Sequence, residues 1–189
     1  AIPAGRLTAE DANGISALAD KYSAGEIRLT VEQNVILPNV AKDQVDALLA
    51  EPLLKKFSPN PANLSRGLVS CTGSQFCPVA IVETKNRAMA LVEELEKQLD
   101  VPQLVRMHWT GCPNSCGQVQ VADIGFMGAP AKLDGKAVEG VNIYLGGEIG
   151  EDPKLGAVYK KGVPCEPSVL VPTVAELLKE KFGATEKSA

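Results

Sequence analysis

The sequence predicts an α+β fold in two parts. Three observations carry this. Apolar residues recur at helical spacing in segments separated by short runs that read as strands. Pro52, Pro59 and Pro61 gather with Asn and Ser across residues 51–66. That stretch divides a short α-β-β-α segment from a longer alternation of strands and helices.

In the first part, Ile15, Leu18, Ala19 and Tyr22 predict a helix over 8–22, with Thr8 as its N-cap, Asp11 three residues on and Gly25 after its end. Residues 26–30 and 35–37 read as two strands around a turn. A second helix over 43–49 is expected to carry Val45, Leu48 and Leu49 inward. This order is most of a ferredoxin-like βαββαβ unit, a partial half-repeat over 1–60. Its first strand would precede residue 1 or survive as a stub at Ile2. With no initiator Met and an opening in mid-element, the chain reads as a processed product or a fragment.

The second part, 61–189, reads as a mixed α/β domain. A long helix over 79–99 would present Val82, Met89, Val92 and Leu99 beside Ile81, Ala88, Leu91 and Leu95. Residues 103–109, 119–126 and 141–145 read as strands, and 132–140 as weakly constrained. A last helix is expected to open at Pro172-Thr173 with Glu176, a capping box, and to stop at Gly183. Residues 185–189 read as a frayed tail.

Composition narrows the function. The 189 residues are 45% hydrophobic and 22% charged, which is globular. One Trp, three Tyr and four Phe are too few for a base-stacking platform, and a net charge of −4 argues against nucleic-acid binding. No apolar run is long enough to span a bilayer, and residues 1–5 lack the basic head and apolar stretch of a signal peptide.

The five cysteines carry the chemistry. Their odd number fits a secreted disulfide framework poorly and a reducing compartment well. Cys71-x5-Cys77 and Cys112-x3-Cys116 lie in loops of small and turn-forming residues, 34 residues apart. Four thiolates suffice for a [4Fe–4S] cube, and Gly73, Gly111 and Gly117 let the backbone approach closely. Pro78 suits a first helical position, so a helix after Cys77 would aim its positive end at the centre. A four-cysteine zinc site usually has tighter spacings, so zinc ranks second, and unligated or redox cysteines stand beside it. Cys165 reads as a small buried hydrophobe. His108, the single histidine, reads as a packed or hydrogen-bonded strand residue rather than a ligand.

Ser70-Cys71-Thr72-Gly73-Ser74-Gln75-Phe76-Cys77, then Glu83-Thr84-Lys85, and His108-Trp109-Thr110-Gly111-Cys112-Pro113-Asn114-Ser115-Cys116-Gly117-Gln118 strongly resemble the cluster-binding half of the sirohaem nitrite and sulfite reductase family. Val119-Gln120-Val121-Ala122-Asp123-Ile124-Gly125 looks like its ferredoxin-dependent nitrite reductases. Sulfite reductases typically carry a basic residue near Gly117-Gln118. Pro3-Ala4-Gly5-Arg6-Leu7-Thr8 and Gly25-Glu26-Ile27-Arg28-Leu29-Thr30-Val31-Glu32-Gln33-Asn34 resemble the family's second ferredoxin-like half-repeat.

The resemblance implies that Cys71, Cys77, Cys112 and Cys116 ligate one [4Fe–4S] cluster and that Cys116 bridges to the sirohaem iron. It implies nitrite as substrate and ferredoxin as a transient, electrostatic partner. It also implies a plastid stroma or a cyanobacterial cytoplasm. Gln33 and Asn34 resemble positions facing sirohaem, although a polar turn explains them equally well. Gln75 and Asn114 would bond to cluster sulfur or stabilise their own loops. Gly146-Gly147 is a weak signal for a cofactor carboxylate. Lys154, Lys160 and Lys161, or Lys55, Lys56 and Arg66, are candidates for a basic docking face. In the family, the substrate-side Arg and Lys belong to an earlier repeat, so no catalytic acid is named here. The chain is expected to need that missing amino-terminal half and to be inactive alone. The competing expectations are a sulfite reductase fragment and a non-catalytic iron–sulfur electron-transfer or zinc module.

Overall fold

Thr8 starts the first helix reciprocally. Its hydroxyl accepts from the Asp11 N–H, and the Asp11 carboxylate accepts from the Thr8 N–H, each at 3.1 Å. A computed structural model describes residues 1–187, and the chain divides into two units, Ala1–Pro61 and a second from Ala62 onward.

In the first unit, α1 (Ala9–Tyr22) buries Ile15, Leu18, Ala19 and Tyr22. The strands are shorter than the sequence suggests. β1 (Arg28–Leu29) pairs antiparallel with β2 (Val35–Ile36), and both are largely exposed. A 3-10 turn at Lys42–Gln44 leads into α2 (Val45–Leu49). Only Leu48 of that helix is buried; Val45 and Leu49, expected inward, face solvent.

The proline-rich stretch is not a loose linker. It holds α3 (Pro52–Lys56) and α4 (Asn63–Arg66), the latter opening the second unit. Phe57 packs with Ile2 and Ile15 in the first core, and Leu64 is fully buried in the second unit. Each such apolar side chain contributes roughly 1.5–3 kcal/mol on burial.

The second unit is built on a mixed sheet. Among the described residues its order is β3 (Leu68–Ser70), β5 (Met107–Thr110), β6 (Ile124–Leu133), β7 (Lys136–Leu145) and β8 (Ala157–Pro164). β3, β5 and β6 run parallel, and β6, β7 and β8 antiparallel. Trp109 and Phe126 face each other across β5 and β6, with rings stacked at 4.6 Å, and both are fully buried. The segment 132–140, expected to be weakly constrained, lies in the β6–β7 hairpin around Asp134-Gly135, both with positive φ. Residues 119–121 form a 3-10 turn rather than the start of a strand.

Two helices begin elsewhere than expected. α5 (Lys85–Gln98) starts six residues late, with Thr84 at its N-cap position and the Glu83 carboxylate accepting from the first-turn N–H groups of Asn86 and Arg87. Val82 is buried outside the helix, Ile81 is exposed, and Leu99 opens a strand. No helix starts at Pro78, so no helix N-terminus there faces the cysteines. α6 (Pro167–Phe182) starts five residues early, with Pro167 in its first turn and Pro172 inside it. Thr173 does not cap; its hydroxyl donates to the Val169 carbonyl at 2.8 Å.

Gly183 ends α6 as expected. The tail is ordered at Thr185–Glu186, which form β9 and pair with β4 (Leu99–Asp100). Ser188 and Ala189 lie outside the described residues.

Candidate metal centre

Both cysteine loops leave the same end of two neighbouring parallel strands. Ser70, the last residue of β3, sits opposite Trp109 on β5, so Cys71 and Cys112 emerge side by side at the strands' carboxyl ends. That end is where sheets with parallel strands place ligands.

The loops are bonded to each other as well as to the sheet. The Cys71 N–H donates to the Trp109 carbonyl at 3.0 Å, and the Ile81 N–H donates to the Gly111 carbonyl at 2.9 Å. The Gly111 N–H donates to Cys71 Sγ at 3.2 Å.

Within the first loop, the Cys77 N–H donates to the Gly73 carbonyl at 3.0 Å and the Ser74 N–H to the Val82 carbonyl at 3.0 Å. Thr84 is fully buried, and its hydroxyl donates to the Cys71 carbonyl at 2.7 Å. Gly73 has φ +68°, and a Cβ there would lie 2.5 Å from Thr84 Oγ1. Only glycine fits both requirements.

In the second loop, the Ser115 N–H donates to the Cys112 carbonyl at 3.2 Å, and the Ser115 hydroxyl donates to Gln120 Oε1. Ser115 and Gln118, on either side of Cys116-Gly117, have φ of 54° and 55°. His108 on β5 is buried, with Nδ1 at 2.9 Å from the Gly117 carbonyl. A carbonyl only accepts, so Nδ1 carries the proton. Burial pushes the His108 pKa down, opposed by its bonds to the Gly117 and Gln118 backbone, so the ring is neutral at pH 7.

Exposure grades the thiols. Cys112 is buried, Cys71 and Cys77 are half-buried, Cys116 is exposed, and none is in a disulfide. Cys165 stands apart between β8 and α6, 3% exposed, and burial pushes its thiol up to about 11. Among the described residues no three Cys, His, Asp or Glu side chains are gathered as a ready-made single-ion site.

The other expected residues divide. Gln75 and Asn114 are exposed within the two cysteine loops. Gln33 and Asn34 belong to the first unit, in the turn between β1 and β2. Asn34 Oδ1 accepts from the Ile2 N–H at 2.8 Å, tying the turn to the start of the chain, and the Asn34 N–H donates to the Thr30 hydroxyl within the turn at 3.1 Å. The Gly147 N–H is used by the Ala122 carbonyl at 3.0 Å. Lys154 pairs with Glu148, and Lys56 with Asp11, while Lys160 and Lys161 are exposed on β8. Thr84 and Glu83 enter the sequence reading only as part of a motif; the bond from Thr84 to the Cys71 carbonyl spans 13 residues and has no local signal.

The family model described as the nitrite and sulphite reductase 4Fe-4S domain matches residues 62–180, which hold both cysteine loops. The chain belongs to the nitrite and sulphite reductase family. A second model of that family, the nitrite/sulfite reductase ferredoxin-like half domain, matches residues 1–55. A match to a 4Fe-4S domain decides for an iron–sulfur cluster over zinc. The chain is 59% identical to the chloroplastic ferredoxin–nitrite reductase of Zea mays, over 98% of this chain and 33% of that protein. It is 58% identical to the ferredoxin–nitrite reductase of Synechococcus elongatus, over 99% of this chain and 36% of that protein. The solved structure of Mycobacterium tuberculosis NirA superposes with a TM-score of 0.83 at 30% identity, covering 95% of this chain and 34% of NirA. The chain thus spans about a third of the length of the curated relatives it matches.

Proposed function

We propose that this chain is the cofactor-binding, carboxy-terminal part of a ferredoxin-dependent nitrite reductase, with Cys71, Cys77, Cys112 and Cys116 holding one [4Fe–4S] cluster. The observation that carries it is the emergence of both cysteine loops at one end of β3 and β5, joined by the bond from Gly111 to Cys71 Sγ. The donor set fits: four free thiols in loops whose backbone already donates to sulfur. The ferredoxin-like half-repeat is taken as 1–60 and the cluster- and sirohaem-binding domain as 61–189.

Each residue then has a task. Cys71, Cys77 and Cys112 anchor the cluster from half-buried and buried positions. Cys116, the exposed thiol, would be the one shared with the iron of sirohaem. Gln75 and Asn114 are amides within the two cysteine loops that would bond to cluster sulfur or stabilise their own loops. Gln33 and Asn34 are the first-unit candidates towards sirohaem, with the Asn34 side chain already bonded to the Ile2 N–H. When bound, the cluster and sirohaem would relay, one at a time, the six electrons from reduced ferredoxin that, with eight protons, convert nitrite to ammonium and water. The chain's own part is to hold and orient these groups.

Nitrite rather than sulfite is favoured by the names of the curated relatives. The exposed Lys160 and Lys161 on β8 suit an acidic ferredoxin, and a plastid stroma or cyanobacterial cytoplasm would provide one. The substrate-side groups would come from the missing amino-terminal half. The test is turnover by the protein at its full natural length with reduced ferredoxin. Ammonium from nitrite, abolished in Cys116→Ser, is the expected result; a clear preference for sulfite would overturn the nitrite assignment.

A further inference from the structure

Cys116 is exposed, so side-chain packing does not set where its thiol points. Its neighbour Gly117 is fixed instead, and fixed twice. Gly117 lies so close to β5 that a Cβ would come 2.1 Å from the Trp109 carbonyl oxygen and 2.8 Å from its carbon. From the same strand, His108 donates through Nδ1 to the Gly117 carbonyl at 2.9 Å. The residues on either side, Ser115 and Gln118, are held in the left-handed region, and the Gln118 N–H closes back on the Ser115 carbonyl at 2.8 Å. Such a backbone persists only where its surroundings over-determine it.

We propose that His108 is a positioning residue for Cys116: by holding the Gly117 carbonyl against β5 it sets the direction of the Cys116 thiolate. This rests on the reading of Cys116 as the ligand shared by cluster and sirohaem. His108 and Thr110 occupy the face of β5 opposite Met107 and Trp109, and both are buried. A buried imidazole that only filled space would be replaceable by any side chain of its size. One that holds a carbonyl is replaceable only by a donor at the Nδ1 position.

Two amides separate these roles. In His108→Asn the side-chain nitrogen falls near the place of Nδ1; in His108→Gln it falls near Nε2 and loses the Gly117 carbonyl. Both variants are made in the full-length protein loaded with cluster and sirohaem. Iron, sulfide and sirohaem content and thermal melting are measured beside the Mössbauer signature of spin coupling between cluster and haem iron. The expected result is unchanged cofactor content in both, the coupled signal kept in His108→Asn, and its loss in His108→Gln. A coupled signal in His108→Gln equal to that of the unaltered protein would overturn the positioning role while leaving the proposed function intact. Loss of the signal in both variants would overturn the assignment to the Nδ1 hydrogen bond. An unaltered protein with cofactors bound but uncoupled would overturn the shared-ligand reading itself, and the proposal with it.

Discussion

The backbone N–H of Gly111 donates to the sulfur of Cys71 over 3.2 Å, across a sequence separation of 40 residues. Gly111 directly precedes Cys112, so one bond ties the first cysteine of one loop to the backbone just before the first cysteine of the other. The loops are held by their backbone bonds together with the buried Thr84 and His108 side chains. Changes to the loop backbone are therefore predicted to damage it more than changes to nearby exposed side chains.

Gly73→Ala is the sharpest such change. Alanine would have to hold φ near +68° and place its Cβ 2.5 Å from Thr84 Oγ1. The backbone strain alone costs about 1–3 kcal/mol, and relief of the clash would displace Thr84 from the Cys71 carbonyl. Lower iron and sulfide content after anaerobic reconstitution, together with a lower urea midpoint, is expected. Gln75→Ala, exposed in the same loop, should fold as stably as the parent.

Thr84→Val keeps the shape and removes the hydroxyl. It removes the 2.7 Å donor to the Cys71 carbonyl, which keeps the Ser70 hydroxyl at 3.1 Å, so the loss is that of one net hydrogen bond, roughly 0.5–1.5 kcal/mol. Thr84→Ser should recover most of that. Urea unfolding of the three proteins checks this, and equal midpoints would remove Thr84 from the loop's support.

The pH dependence of the first unit turns on Asp11. Its bonds to Lys56 and to Thr8 hold the carboxyl below its ordinary value of 3.8. A depressed carboxyl contributes stability above its unfolded pKa and loses it as pH falls through the folded value. Asp11→Asn should therefore melt earlier than the parent at pH 7 and alongside it at pH 2. Thr8→Ala removes the other half of the cap and should cost about 1 kcal/mol.

Cys165 behaves in the opposite sense. Burial raises its thiol from 9.0 to about 11, so the folded chain holds this proton more tightly than the unfolded chain. The associated stability is complete below pH 9 and is lost as pH rises from 9 towards 11. Cys165→Ala should flatten alkaline unfolding in that window and leave iron content unchanged. Alkylation of the apoprotein at pH 8 should modify Cys116 long before Cys165.

The cysteine loops were legible in the sequence because their chemistry is written in residue identity. Four thiols, with glycines and prolines between them, announce a ligand-holding loop whatever the surrounding fold. The reciprocal cap at Thr8 and Asp11 was legible too, since both partners lie within one turn. The starts of α5 and α6 were not. Val79 and Val82 extend the helical rhythm of α5 upstream, yet Glu83 caps the true start and Val82 buries itself from a turn. Pro172 reads as a first helical residue, whereas Pro167 already fills that role. The β6–β7 hairpin was hidden by charges, because Lys132, Asp134, Lys136 and Glu139 mask a turn that Asp134-Gly135 nevertheless specifies. The strap from Thr84 is a tertiary contact that no local pattern encodes. The bond of the Asn34 side chain to the Ile2 N–H spans 32 residues, so no local pattern announces it.

The central claim is that Cys71, Cys77, Cys112 and Cys116 hold one cluster. It is tested most directly by anaerobic reconstitution with iron and sulfide, counting iron, acid-labile sulfide and zinc per polypeptide in the parent and in each of the four Cys→Ser variants. About four irons and four sulfides in the parent, lost in every one of those variants and kept in Cys165→Ser, is the predicted result. One zinc per chain with no sulfide, or a full cluster surviving the loss of any one of the four, would contradict it.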